Sequence, residues 1–311
     1  MCGERKVRRT AAILALLMLL TLVGCGCDGG GTDDRPQVVV TIFPQYDFVR
    51  AVAGERVALT MLVSPGSESH TYEPSISDVA AVADADLFIY TGGDIDPWAE
   101  ALSRTVADAE VVSISIMDAV GGMEHEHEEG EDHGGEHVWT SPENAILILD
   151  YIRDALIALD PEGEEIYRAR ADEYGARLEK ISGEMRALAA GAEGKTVVVA
   201  DRFPFESLFE EYGILHAEAL GGCAVGEEPS ASVIGELCRL VEEQHISHVF
   251  YIEFSDRKIA DLISGATGCG ELQLHSCHNV EREDFKAGVT FCDLMERNVS
   301  NLREVIGHGA D

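Results

Sequence analysis

The chain of 311 residues is long enough for two ordinary domains, and at 46% hydrophobic residues each has the material for its own core. Acidic residues outnumber basic ones 57 to 23, for a formal net charge of -34. Such a field repels phosphate backbones and anionic head groups, which argues against nucleic-acid binding, and it concentrates cations, although most of the carboxylates read as surface solvation.

Residues 1–24 place Arg5, Lys6, Arg8 and Arg9 ahead of the apolar run Ala11–Val23, which is too short for a comfortable membrane span, and the run closes on Leu22-Val23-Gly24-Cys25. This resembles a bacterial lipoprotein signal. It implies export, cleavage before Cys25 and lipid attachment there, so that the protein is anchored to the cell membrane and faces the outside or periplasm. An ordinary secretory signal is the alternative, with export but no anchor. Removing the segment leaves 56 acids and 19 bases, a net of -37. Residues 25–36, rich in glycine, read as a flexible tether.

From Gln37 the pattern alternates. Short apolar runs at Val38–Phe43, Val57–Val63, Leu87–Thr91 and Val111–Ile116 predict strands, and Asp47–Ala53, Ile76–Ala85 and Trp98–Ala107 predict the helices between them. Continuous apolar strands separated by helices argue for a parallel sheet covered on both faces, here an N-terminal α/β lobe over residues 37–158. Ligands in such sheets bind at the loops after the strand carboxyl ends, and the loop carrying His70 follows the second strand directly.

Within that lobe, residues 121–137 hold His125, His127, His133 and His137 interleaved with Glu124, Glu126, Glu128, Glu129, Glu131, Asp132 and Glu136. Imidazole and carboxylate so concentrated suit a divalent cation. The glycines around them argue against one rigid geometry, so His125, His127 and His133 are expected to form a low-affinity collector; the alternative is a solvated acidic loop.

Thr140-Ser141-Pro142-Glu143 has the hydroxyl cap and early proline of a helix start. Pro161 then opens a long helical stretch in which Tyr167, Ala171, Tyr174, Leu178, Ile181, Met185 and Leu188 recur at spacings of four and three. This stripe predicts a rigid linking helix over residues 159–192. The alternation resumes in a C-terminal lobe over residues 193–311. Strands are expected at Thr196–Ala200, Ile214–Ala219, His248–Glu253 and Glu271–His275, and helices at Phe203–Tyr212, Ser230–His245, Asp256–Ala266 and Phe285–Gly307. The fold class is therefore α/β: two lobes, each a parallel sheet flanked by helices, joined by one long rigid helix, with the ligand cleft between lobes.

Several segments taken together are familiar. The Ser64–Ser75 loop with its His70-Thr71-Tyr72-Glu73-Pro74 core, His137-Val138-Trp139-Thr140-Ser141-Pro142 after the acidic insert, the linking helix and Glu211-Tyr212-Gly213-Ile214 resemble the solute-binding proteins of zinc and manganese ABC importers. The likeness covers nearly all of the mature chain. It implies a monomeric receptor that binds one divalent ion, zinc in preference to manganese, and docks on a membrane permease. It also implies a metal site in which His70 and His137 are ligands, for which neutral imidazole suits zinc.

The resemblance also exposes a departure. The position at which relatives place a third ligand is Arg202, and a guanidinium cannot ligate a cation. Replacement donors are expected in Leu274-His275-Ser276-Cys277-His278-Asn279 at a strand end: His278, then His275, with Asp256 behind them because Glu253-Phe254-Ser255-Asp256 resembles an acidic loop of manganese-type relatives. Arg202 is expected to pair with Asp201, Glu253 or another buried carboxylate. The alternative reading of the histidine segment is a structural turn held by a disulfide from Cys277, with Cys223, on the same predicted rim, as the chosen partner; other pairings among Cys238, Cys269 and Cys292 stay open.

No phosphate-binding glycine loop and no His-Glu-x-x-His helix occurs, so neither an ATPase nor a familiar zinc hydrolase is indicated, and no enzymatic activity is expected. A surface zinc hydrolase and an adhesin or metal store remain the competing functional classes.

Overall fold

The structure, a computed structural model, describes residues 34–93, 95–107, 110–121, 137–222 and 226–307. The chain divides at Arg35, and both lobes lie in the second unit, Pro36–Asp311. Among the described residues no helix is long and apolar enough to cross a membrane.

In the N-terminal lobe β1 (Gln37–Val40), β2 (Ala58–Met61), β3 (Leu87–Tyr90) and β4 (Val112–Ser115) form a parallel sheet in the order β2-β1-β3-β4. Parallel neighbours need crossovers, supplied by α1 (Phe43–Ala53), α2 (Ile76–Ala83) and α3 (Pro97–Thr105), with a short α4 (Ile116–Ala119) after β4. The C-terminal lobe repeats the plan. There β5 (Thr196–Phe203), β6 (Leu215–Gly221), β7 (His248–Tyr251) and β8 (Gly270–Gln273) take the parallel order β6-β5-β7-β8. In each sheet the first strand is central and its order reverses beside it, the point at which loops diverge and leave a crevice.

Between the lobes, α5 (Pro142–Leu159) and the 27-residue α6 (Glu164–Ala190) run back to back, with a 3-10 turn at Pro161–Gly163. Ser141 caps α5 by accepting from the Asn144 N–H at 3.0 Å. At 1.5 Å per residue α6 is about 40 Å long, and its buried stripe is Tyr167, Ala171, Tyr174, Leu178, Ile181, Ser182, Met185 and Leu188. One continuous core joins this stripe to Val38, Val40 and Phe48 of the first lobe and to Val197, Val199 and Phe250 of the second. Two smaller clusters lie apart from it, one around Phe88 and Leu102, the other around Val198 and Val249. The lobes are therefore welded through apolar packing rather than hung on a linker.

A buried carboxylate pins the weld. Asp47 on α1, 1% exposed, pairs with Arg50, accepts from the Tyr174 hydroxyl on α6, and accepts at 2.6 Å from the backbone N–H of Phe291, which opens α11 (Phe291–Ile306). Phe48 packs edge-on against both Tyr174 and Phe291, with centroids 6.0 and 5.1 Å away.

The remaining helices are α7 (Glu206–Tyr212), α8 (Ala231–Glu243), α9 (Lys258–Thr267) and α10 (Arg282–Ala287). Two expectations change. The closing helix is not continuous from Phe285: α10 stops at Gly288, whose φ of 76° only glycine adopts readily, and α11 restarts with a Thr290–Asp293 capping box. Strand β5 runs on through Phe203, where a helix was expected to begin, because its pairing with β6 shifts register between Val199 and Arg202 and Pro204 then ends it.

Replacing Asp47 by Ala strands a buried phenol and a buried N–H without an acceptor. Urea melts of the metal-free protein are expected to show a loss of about 3 kcal/mol, while Asp154→Ala, on the exposed side of α5, changes stability by less than about 0.5 kcal/mol.

Candidate metal centre

Three histidines from three loops meet where the two lobes face each other. His70 follows β2, His137 precedes the 3-10 turn Val138–Thr140, and His278 follows β8. Each offers a ring nitrogen, and these nitrogens all lie within 4.8 Å of one another. Ring centroids are 4.5 Å apart for His137 and His278, 4.6 Å for His70 and His278, and 5.8 Å for His70 and His137.

Each ring is held by its loop. Gly66 bends the His70 loop at φ 79°, and the loop is stitched to the other lobe: the Gly66 N–H donates to Val280 O at 2.8 Å, and the Asn279 side-chain amide donates to Ser64 O at 2.8 Å and to Ser67 O at 2.9 Å. Asn279 is 1% exposed. His137 lies beside the fully buried Trp139, whose indole N–H donates to Ser276 O at 2.9 Å, again across the lobes. The His278 turn carries Cys277 in the left-handed region at φ 63°, a cost of order 1 kcal/mol for a non-glycine residue. Glu253 holds the turn, since its carboxylate accepts the Ser276 N–H at 2.8 Å and the Ser276 hydroxyl.

The electrostatics favour neutral rings. Burial pushes His137 down to about 3 and His278 well below the usual imidazole value, with the other rings and Arg202 adding to the effect. Burial also lowers His70, against an opposing pull from Glu68. Nε2 of both His70 and His278 is buried without a hydrogen-bond partner. A buried nitrogen lone pair with no donor to receive is costly. Those two histidines and His137, each with a ring nitrogen within 4.8 Å of the others, supply the three nitrogen donors that a tetrahedral cation with one further ligand requires.

The other expected donors lie elsewhere. His275 turns away: its Nδ1 accepts the Cys277 N–H at 2.9 Å and lies 3.7 Å from Glu253, while its backbone is clamped by Asn298. Asp256 sits on the surface paired with Lys258, which with the Lys258 backbone N–H holds its carboxyl low. Arg202 pairs with a carboxylate that was not foreseen, Glu68, at 3.3 Å; Asp201 instead accepts the Arg202 backbone N–H. The turn needs no disulfide. Cys277 is a free thiol, fully buried in the shared core and raised well above the usual thiol value by that burial, and Cys238, Cys269 and Cys292 are free as well. Cys25, His125, His127, His133 and Cys223 lie outside the described residues.

Two α/β lobes enclosing a ligand crevice around a rigid helix define the class of two-lobed solute-binding receptors. The chain belongs to the family described as zinc-uptake complex component A, periplasmic (ZnuA), which matches residues 38–305. It is 32% identical over 311 residues to the zinc-binding lipoprotein AdcA of Streptococcus pneumoniae serotype 4, covering 96% of this chain and 61% of that protein, so it spans under two thirds of that relative. It is 27% identical over 305 residues to the high-affinity zinc uptake system protein ZnuA of Bacillus subtilis, covering 94% of this chain and 95% of that one. Among solved structures, the Zn(II)-bound ZnuA-like domain of Streptococcus pneumoniae AdcA superposes with a TM-score of 0.74 at 29% identity, over 88% of this chain and 100% of that one. The metal-dependent lipoprotein YcdH of Bacillus subtilis gives 0.76 at 25% identity, with the same coverage.

The lowered imidazoles set a pH dependence. Below their ordinary value of 6.5 the unfolded chain takes up protons that the folded one refuses, so stability is complete above that pH and falls as pH drops, by about 1.4 kcal/mol per pH unit for each such proton. Metal-free protein is therefore expected to melt progressively lower between pH 6.5 and 4.5, and a His137→Gln, His278→Gln double variant to show a shallower slope.

Proposed function

We propose that this chain is an extracytoplasmic receptor that captures one zinc ion between its lobes and hands it to the membrane permease of an ABC importer. The observation that carries the reading is the convergence of three neutral imidazoles, two of them buried and His70 half-buried, two from the first lobe and one from the second, on one point. Nitrogen donors in a tetrahedral arrangement suit zinc over manganese, which prefers oxygen-rich, higher-coordinate sites. The zinc-binding and zinc-uptake relatives support the same cargo.

In this reading His70, His137 and His278 ligate the ion and Trp139 and Asn279 hold them in place. His275 and Asp256 are not used. The residues 121–137 segment gathers cations for the cleft through His125, His127 and His133. The chain acts as a monomer without catalytic turnover, and Cys25 anchors it by lipid to the outer or periplasmic face of the membrane. The acidic surface favours approach of the cation and has no affinity for nucleic acid.

Competition titration with a chromophoric chelator, together with metal analysis, tests this. One zinc per chain is expected to bind tightly. His137→Ala or His278→Ala is expected to weaken binding at least about a hundredfold, the scale of losing one of three or four ligands. Deleting residues 121–135 is expected to remove weak sites and leave the tight one; loss of the tight site on that deletion would refute the assignment.

A further inference from the structure

Three neutral imidazoles bring no negative charge to a divalent ion, and one positive charge already faces them. The Arg202 side chain is only 14% exposed, and its charge acts on His70, His137 and His278 alike. A guanidinium does not lose its proton, so the repulsion cannot be relieved by deprotonation.

Two carboxylates line the same cavity as His70 and His278, namely Glu68 and Glu253. They differ in freedom. Glu253 is 5% exposed at its side chain, with both oxygens engaged by Ser276. Glu68 is 30% exposed, and both its bonds are long: 3.3 Å from Arg202 and 3.4 Å from the His70 backbone N–H. Glu68 stands outside the imidazole cluster, two residues from His70 on the same loop. The loosely held carboxylate is thus the one that neutralises the arginine.

We infer that Glu68 is a donor kept in reserve by Arg202, which competes with the bound ion for it. On capture the carboxylate turns from the guanidinium to complete the ion's coordination, and on release Arg202 takes it back. Arg202 is thereby an affinity-setting residue that holds binding weaker than the donor set would allow, and so eases unloading. The inference rests on the three imidazoles being a metal centre.

The test uses the full chain with zinc alone, in competition titrations, and with Co(II) as a spectroscopic substitute. Glu68→Gln is expected to weaken zinc binding by about tenfold or more and to shift the visible Co(II) bands. Arg202→Gln is expected to tighten zinc by about tenfold with those bands kept, on the scale by which groups behind metal ligands tune affinity. The double variant is expected to lose the gain from Arg202→Gln, a coupling that independent sites do not show. Urea melts of the zinc-free variants establish that each is folded, with Glu68→Asp as a second probe of the carboxylate. If Arg202→Gln weakens zinc or leaves it unchanged, or if Glu68→Gln alters neither affinity nor spectrum, the inference falls while the metal centre stands. If the unaltered chain binds no zinc tightly, both fall.

Discussion

The Asn279 amide holds the two halves of the site in register. Its two N–H groups reach the carbonyls of Ser64 and Ser67 across the lobe boundary, and its own side-chain oxygen takes the N–H of Val280. With the Gly66 to Val280 bond and the Trp139 to Ser276 bond, it closes a belt of hydrogen bonds around the imidazoles. The Trp139 to Ser276 and Val280 to Asn279 bonds are buried and those from the Asn279 amide partly so, and an unmade partner at a buried bond would cost free energy comparable to the bond itself. Positions of His70 and His278 are therefore set relative to each other, not merely relative to their own sheets. That shared registration lets side chains far apart in sequence present lone pairs to a single point.

Behind the belt is the welded core. Asp47, Tyr174 and Phe291 bind the first lobe, the linking helix and the last helix into one packed body. A hinge of the kind that opens on a flexible strand has no place here, because separating the lobes would expose the buried stripe of α6 to water. Motion that admits an ion is accordingly confined to loops and side chains, on a scale of a rotamer change rather than a domain swing. Glu68, with its long bonds and partial exposure, is the side chain at the cleft best placed for such motion.

Much of this was legible in the sequence, for physical reasons. Strand runs such as Val38–Val40 are apolar throughout because both faces are covered, and the four-three stripe of α6 is apolar because it faces two lobes at once. The motifs around His70 and His137 mark those histidines as candidates for the cleft. His278 was expected ahead of His275, but that His275 stays out of the cluster was not legible, since it depends on the left-handed backbone at Cys277, which no propensity foretells for cysteine. Arg202 was conspicuous, but its partner Glu68 was hidden, because a salt bridge across the cleft depends on how two loops dock. The break at Gly288 was visible in retrospect: Gly-Val-Thr-x-x-Asp is a helix stop followed by a capping box.

The repeated strand order of the two lobes has a consequence for how such a site changes over time. His70 and His278 follow β2 and β8, each at an edge of its sheet, while Arg202 lies near the end of the central strand β5, so edge and central strand ends alike bring side chains to one crevice. The frame behaves as a socket with more contacts than any one occupant needs, so its donor set can be altered one loop residue at a time.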